Sequence, residues 1–207
     1  MKTYLILLLL VVGWAGAHAQ TDTVTTNWSS GFVNGGVVPD NDLTGWVDSR
    51  VIDGTSSGTI DLVEVTLDLT GGYTGDIYAY LLHDGVMSVL FNRVGTPANS
   101  GNGYLDSGFD VTLSDTAAYS IHNYQADSPI YNSDGAITGT WQPDGEGLNV
   151  FQGMDADGPW DLFVADESSG GIMTVDSWGL TIQTVPEPSL LALTALGGGL
   201  FFFRRRK

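Results

Sequence analysis

Cysteine is missing from all 207 residues, so no disulfide framework holds this chain together. Basic residues are almost missing as well. Seven Lys and Arg stand against 24 Asp and Glu, and five of the seven (Lys2, Arg204, Arg205, Arg206 and Lys207) lie at the two ends. Between Gln20 and Val185 only Arg50 and Arg93 oppose twenty-three acids, a net charge of −21. Such a surface repels nucleic acid and other polyanions and attracts cations. No long window sustains a 3.6-residue apolar period, which argues against a helical domain. No apolar run reaches the roughly 20 residues that cross a bilayer as a helix.

The two ends have the composition of targeting segments. Lys2, the apolar run Leu5 to Val12, and the small-x-small triplet Ala17-His-Ala19 form a signal peptide with cleavage expected after Ala19. At the other end Val185-Pro-Glu-Pro-Ser189 leads into fourteen residues from Leu190 to Phe203 and then Arg204-Arg-Arg-Lys207. As a helix that run spans about 21 Å, shorter than a hydrocarbon core, and Gly197-Gly-Gly199 weakens it. Pro186-Glu187-Pro188, a short apolar helix and the Arg204-Arg205-Arg206 cluster together resemble the PEP-CTERM sorting signal of bacterial exported proteins. The resemblance implies an exosortase-type membrane protease as a partner and membrane contact through the C-terminal helix, transient or permanent. The sequence therefore divides into a signal peptide (1–19), one domain (20–184) and a sorting segment (185–207), and places the protein in the bacterial cell envelope or outside the cell.

Inside the domain the signal has period two. Val63, Val65, Leu67 and Leu69 alternate with Glu64, Thr66, Asp68 and Thr70, the pattern of a half-buried strand. Asp76 to Leu82, Ser88 to Arg93, Phe109 to Leu113 and, more weakly, Tyr119 to Tyr124 read as further strands. His83-Asp-Gly85 reads as a hairpin turn, and Leu148 to Gly153 as a short helical turn. Gly158-Pro-Trp-Asp-Leu-Phe-Val-Ala-Asp166 and Val175-Asp-Ser-Trp-Gly-Leu-Thr-Ile182 alternate most cleanly, each directing a Trp to one side. Separated by a turn-rich loop, they predict two adjacent antiparallel strands. Many short strands broken every ten residues or so predict an all-β sandwich or barrel.

The ordered set Pro39-Asp-Asn-Asp-Leu-Thr-Gly45, Val65-Thr-Leu-Asp-Leu-Thr70, Tyr73-Thr-Gly-Asp-Ile77, Leu90-Phe-Asn-Arg93, Gly139-Thr-Trp141, Phe151-Gln-Gly153, Gly158-Pro-Trp-Asp-Leu162, Val164-Ala-Asp166 and Ser177-Trp-Gly-Leu-Thr-Ile182 resembles the P domain (P/Homo B) of proprotein convertases and bacterial subtilisin-like proteases. The resemblance covers about Val38 to Ile182. It implies a jelly-roll β-sandwich, a stabilising role beside a protease domain, and calcium as a bound ion.

No catalytic constellation stands out. Gly54-Thr-Ser-Ser57 has the Gly-Thr-Ser of subtilisin-like enzymes, but the serine of such enzymes opens a helix, and here a strand follows. His18 leaves with the signal peptide, and nothing brings His83 or His122 to Ser56. The pairs Asp155/Asp157 and Asp40/Asp42 have the residue types of a glycosidase, although in so acidic a domain such pairs arise by crowding. Hard cations take several oxygen ligands at once, which makes Asp155, Asp157 and Asp166 the first calcium candidates and Asp40 and Asp42 the second. Asp76 and Arg93 are expected to form a partly buried ion pair. Tyr73, Tyr78, Tyr80, Tyr104, Tyr119, Tyr124 and Tyr131 invite the idea of a carbohydrate-stacking face, yet their spacing selects no subset. The expected function is that of an exported, non-catalytic binding or structural module of the cell surface or extracellular matrix. The alternatives are an accessory domain docking to a separately encoded protease and an acid-pair hydrolase; the partners to expect are extracellular polysaccharide or a secreted protease, and no nucleic acid.

Overall fold

The structure is a computed structural model that describes residues 21–54, 58–97 and 101–186. The signal peptide, Ser56 and the sorting segment after Pro186 lie outside the described residues. Ten strands form two sheets: β1 (Asp22–Trp28), β2 (Asp42–Ile52), β3 (Gly58–Gly71), β4 (Ile77–His83), β5 (Val86–Asn92), β6 (Phe109–Leu113), β7 (Ile130–Tyr131), β8 (Ile137–Trp141), β9 (Gly158–Asp166) and β10 (Met173–Pro186). The larger sheet runs β1-β10-β3-β6-β8-β7 and the smaller β2-β9-β4-β5. Among the described strand pairs only β6–β8 is parallel. Setting aside β7 and β8, the orders 1-10-3-6 and 2-9-4-5 are those of a double-sheet jelly roll, as expected from the sequence.

The alternating segments bury the faces that their patterns predict. Val63, Val65, Leu67 and Leu69 of β3 are at most 3% exposed, and Trp160, Leu162, Val164, Trp178, Leu180 and Ile182 at most 1%. Asp84 (φ 47°) and Gly85 (φ 79°) form the two-residue turn between β4 and β5, where a positive φ at both positions matches the twist of the flanking strands. Phe91 of β5 stacks on Phe109 of β6 with centroids 4.1 Å apart. One aromatic pair thus joins the two layers.

Three expectations need correction. The two Trp strands are not neighbours: β9 lies between β2 and β4, and β10 lies between β1 and β3 in the facing sheet. Alternation reports an apolar face but not which layer the face belongs to, and the residues between the strands (167–172) cross the end of the sandwich instead of closing a hairpin. Tyr119 to Tyr124 is not a strand; Ile121–Asp127 forms a 3₁₀ segment, with the Ser120 hydroxyl accepting the His122 amide as an N-cap. His83 sits not in the turn but at the end of β4, 1% exposed and stacked on Trp160 at 3.9 Å.

Strand β2 carries no clean apolar alternation because two of its inward positions hold charges. Asp48 faces inward at 9% exposure, and its Oδ2 accepts the indole N–H of Trp178 at 2.7 Å and Arg50 Nε at 2.6 Å. Arg50 also lies over the rings of Trp28 (5.8 Å) and Phe32 (5.4 Å). This cluster ties β2 of the small sheet to β10 of the large one. Replacing Trp178 with Phe keeps most of the ring but leaves a buried carboxylate short of a donor. The expected loss is about 1–3 kcal/mol of unfolding free energy, measured by chemical denaturation; an unchanged midpoint would mean that the tie contributes nothing.

Candidate functional site

At one end of the sandwich three chain segments bring acids together. Asp40 and Asp42 precede and open β2, Asp76 precedes β4, and Asp166 closes β9. The pairing sets this arrangement, since Asp166 lies opposite Asp42 on one side and Ile77 on the other. Gly45 allows β2 to bulge here: at φ +63° it passes so close to Phe163 that a Cβ would sit 2.6 Å from the ring. Any other residue at that position would push β2 off β9.

Asp166 is fully buried. Its Oδ1 accepts the Ser168 amide at 3.1 Å, while Oδ2 is buried without any hydrogen-bond partner among the described residues. Burial pushes its carboxyl up to about 6; the Ser168 amide pulls the other way, and the charges of Asp76 and Asp40 add to the rise. Burial also raises Asp76, against the Ser168 hydroxyl and the charge of Arg93. The expected Asp76–Arg93 pair is therefore indirect. Arg93 donates Nη2 to the Ser168 hydroxyl (3.3 Å) and Nε to the Gly75 carbonyl (3.2 Å), and Glu167 lies 4.0 Å from Nε. Ser168 stands between the two charges.

The other acids of the sequence reading lie elsewhere or are occupied. Asp155 and Asp157 precede β9 and Asp166 ends it, so eight residues of extended strand, about 26 Å, separate the two groups. Asp155, Asp157 and Asp166 do not form one site. Asp155 Oδ1 accepts the Asp157 amide (3.1 Å), and Asp157 Oδ2 accepts the Gly54 amide (3.1 Å), bonds that shape a loop. Asp42 accepts the amide and hydroxyl of Thr44 at 2.9 and 2.8 Å, which hold its carboxyl below the usual range. Asp40 Oδ1 accepts the Gly170 amide at 3.1 Å. The acids that the structure brings together are thus Asp40, Asp76 and Asp166. An orphaned buried carboxylate oxygen is what a cation or a proton would satisfy. Among the described residues, however, no three acidic or histidine side chains converge closely enough to hold a metal, so the cluster supplies charge without a finished cage.

Both histidines of the domain are structurally committed. His83 has Nδ1 2.9 Å from the Pro159 carbonyl and Nε2 2.8 Å from that of Asp155. His122 has Nδ1 2.8 Å from Asp144 and Nε2 2.5 Å from the Thr96 carbonyl. Burial opposes a charge on His122, but the Asp144 carboxylate and the Thr96 carbonyl outweigh it and raise its pKa. The tyrosines do not share a face: Tyr104 and Tyr124 are in the core, whereas Tyr78 and Tyr80 stand on the outside of the small sheet. There Tyr80 stacks on Phe163 at 4.7 Å, with the 49% exposed Val47 opposite Phe163 and Val89 opposite Tyr80. Sequence reading missed this apolar outer face because β2 was not legible as a strand.

The family model described as the proprotein convertase P-domain matches residues 60–182. No curated protein matches the chain. Among solved structures, the serine protease of Aeromonas sobria in complex with the chaperone ORF2 aligns with a TM-score of 0.49 and 15% identity, over 80% of this chain and 27% of that one. The serine protease of Aeromonas sobria aligns with a TM-score of 0.47 and 16% identity, over the same shares. The chain thus spans about a quarter of the length of the solved chains that it matches.

A carboxyl raised to about 6 in the fold and near 4 when unfolded costs stability while it is charged. That cost is present above pH 6 and is relieved as pH falls through 6 toward 4. Asp166→Asn removes it. The gain in stability on going from pH 7.5 to pH 5 is expected to be smaller in the variant by about 1–2 kcal/mol, read by denaturation at the two pH values. Equal gains would show that Asp166 is not the titrating group.

Proposed function

Because the chain belongs to the proprotein convertase P-domain family, we propose that it is an exported, non-catalytic module that binds or builds at the cell surface or in the extracellular matrix. The observation that carries the reading is the commitment of both domain histidines to backbone carbonyls and Asp144, which leaves neither placed as a base beside a described nucleophile. The acid pairs that a hydrolase would need are occupied in shaping loops.

The same reading takes Pro186, Glu187, Pro188 and the Arg204–Arg206 cluster as the sorting signal read by an exosortase-type membrane protease. Mass spectrometry of the protein recovered from the envelope and the medium tests it. The expected mature chain begins at Gln20 and ends near Pro186–Pro188. A chain still ending at Lys207 would overturn the sorting.

A second reading, docking to a separately encoded subtilisin-like protease, is favoured by the outer face of the small sheet, where Val47, Phe163, Tyr80 and Val89 form one cross-strand row. A serine protease recovered as the main companion in the same preparation would support it.

Calcium belongs to either reading as the ion drawn to Asp40, Asp76 and Asp166. A ligand that binds only the folded state raises the unfolding midpoint, so millimolar calcium at pH 7.5 is expected to raise it in the wild type and not in Asp166→Asn. No shift in the wild type would remove calcium from the account.

A further inference from the structure

The outer face of the large sheet is a groove of about 490 Å³, and it differs in kind from the apolar outer face of the small sheet. One cross-strand row runs Asn27, Gly179, Thr66, Thr112, Thr140 through β1, β10, β3, β6 and β8. The next row places Asp68 of β3 directly opposite Asp110 of β6. Every side chain in the two rows is short. Gly179 is small for a structural reason, since a Cβ there would lie 2.3 Å from the Thr26 carbonyl and 2.8 Å from the Thr66 hydroxyl. The absence of a side chain at that point leaves the row open between Asn27 and Thr66.

Three features separate this face from an ordinary solvated one. Soluble sheets cover such faces with long side chains of both signs, and neither Lys nor Arg is present here: Arg50 is paired with Asp48 and Arg93 with the Gly75 carbonyl. Like charges directly opposite one another destabilise a sheet, and no described residue donates a hydrogen bond to Asp68 or Asp110. The hydroxyls of Thr66, Thr112 and Thr140 are likewise unpaired among the described residues. Burial, with Asp110, Asp176 and Asp134 adding to it, raises the Asp68 carboxyl. The groove thus presents charged acceptors beside neutral donors, without positive charge and without aromatic rings.

We propose that this groove is a binding site for a neutral polysaccharide chain. Vicinal hydroxyls of a sugar are donors at the spacing of one carboxylate and make charge-assisted bonds to it. Their oxygens accept from the threonine hydroxyls. Anionic polymers are repelled by Asp68, Asp110 and the net charge of −21. A protein partner would lack the apolar anchors that dominate such interfaces, and among the described residues no three acids converge to hold a metal. The inference rests on the surface or matrix reading above and names its ligand class.

Affinity electrophoresis of the exported protein tests it, in native gels containing hydroxyethylcellulose, laminarin or mannan, with alginate as the anionic comparator. Retardation is expected in at least one neutral gel and not in alginate. The double variant Asp110→Asn, Thr112→Val is expected to lose at least about fivefold in apparent affinity while its thermal midpoint stays equal or rises, because a like-charge contact has gone. No retardation in any neutral gel, retardation in alginate alone, or equal retardation of wild type and variant would overturn the proposal. A protein that fails in these gels but still fractionates with the extracellular matrix would sink the groove and leave the module reading standing.

Discussion

The last two described strands enter the middle of the two sheets. β9 separates β2 from β4, and β10 separates β1 from β3. Neither sheet is continuous until residues 158–186 are in place, and without cysteine no cross-link holds the earlier strands in the meantime. The rest of the structure depends on this insertion. It brings Trp160 onto His83 and Trp178 onto Asp48, so each of the two layers receives one indole whose N–H finds an acceptor, the Ala156 carbonyl for Trp160 and the Asp48 carboxylate for Trp178. It also carries Asp166 to the acidic end and Gly179 between Asn27 and Thr66 on the outer face of the large sheet.

A domain with two arginines and twenty-three acids must hold most of its carboxylates by other means. Backbone amides and hydroxyls do that work. Asp115 accepts the amides of Leu148 and Asn149 at 2.8 and 2.6 Å, and Asp106 accepts Tyr124, Gln125 and Tyr131. Carboxylates bonded in this way are internal parts of loops. Three carboxylates stand apart among the described residues: Asp166 keeps one buried oxygen without a partner, and Asp68 and Asp110 face each other with no donor between them. The first is buried at the acidic end, and the other two open on the groove.

Much of this was legible in the residues. The clean alternation of β3, β9 and β10 gave their buried faces, and the ordered motifs gave the jelly-roll winding. Pairing partners were not legible, because alternation is a property of one strand and the crossing at 167–172 has the composition of an ordinary turn. β2 was hidden by Asp48 and Arg50, whose inward position makes sense only once Trp178 is known to lie opposite. Asp166 was grouped with Asp155 and Asp157 by closeness in sequence, although an extended strand puts its two ends far apart. Asp76 and Asp40, distant in the chain, are its neighbours in space. The groove was invisible in the sequence because its rows join five strands, each contributing one short side chain.

The central claim is that this domain works by binding through the polar outer face of its large sheet. Amide chemical-shift mapping of the ¹⁵N-labelled exported protein, titrated with the neutral oligosaccharide whose polymer retards it most, addresses that claim directly. The account predicts perturbations centred on Thr66, Thr112 and Thr140 in β3, β6 and β8, with Asp68 and Asp110 among them. Perturbations confined to the Val47–Phe163–Tyr80 face or to the Asp166 end would contradict it.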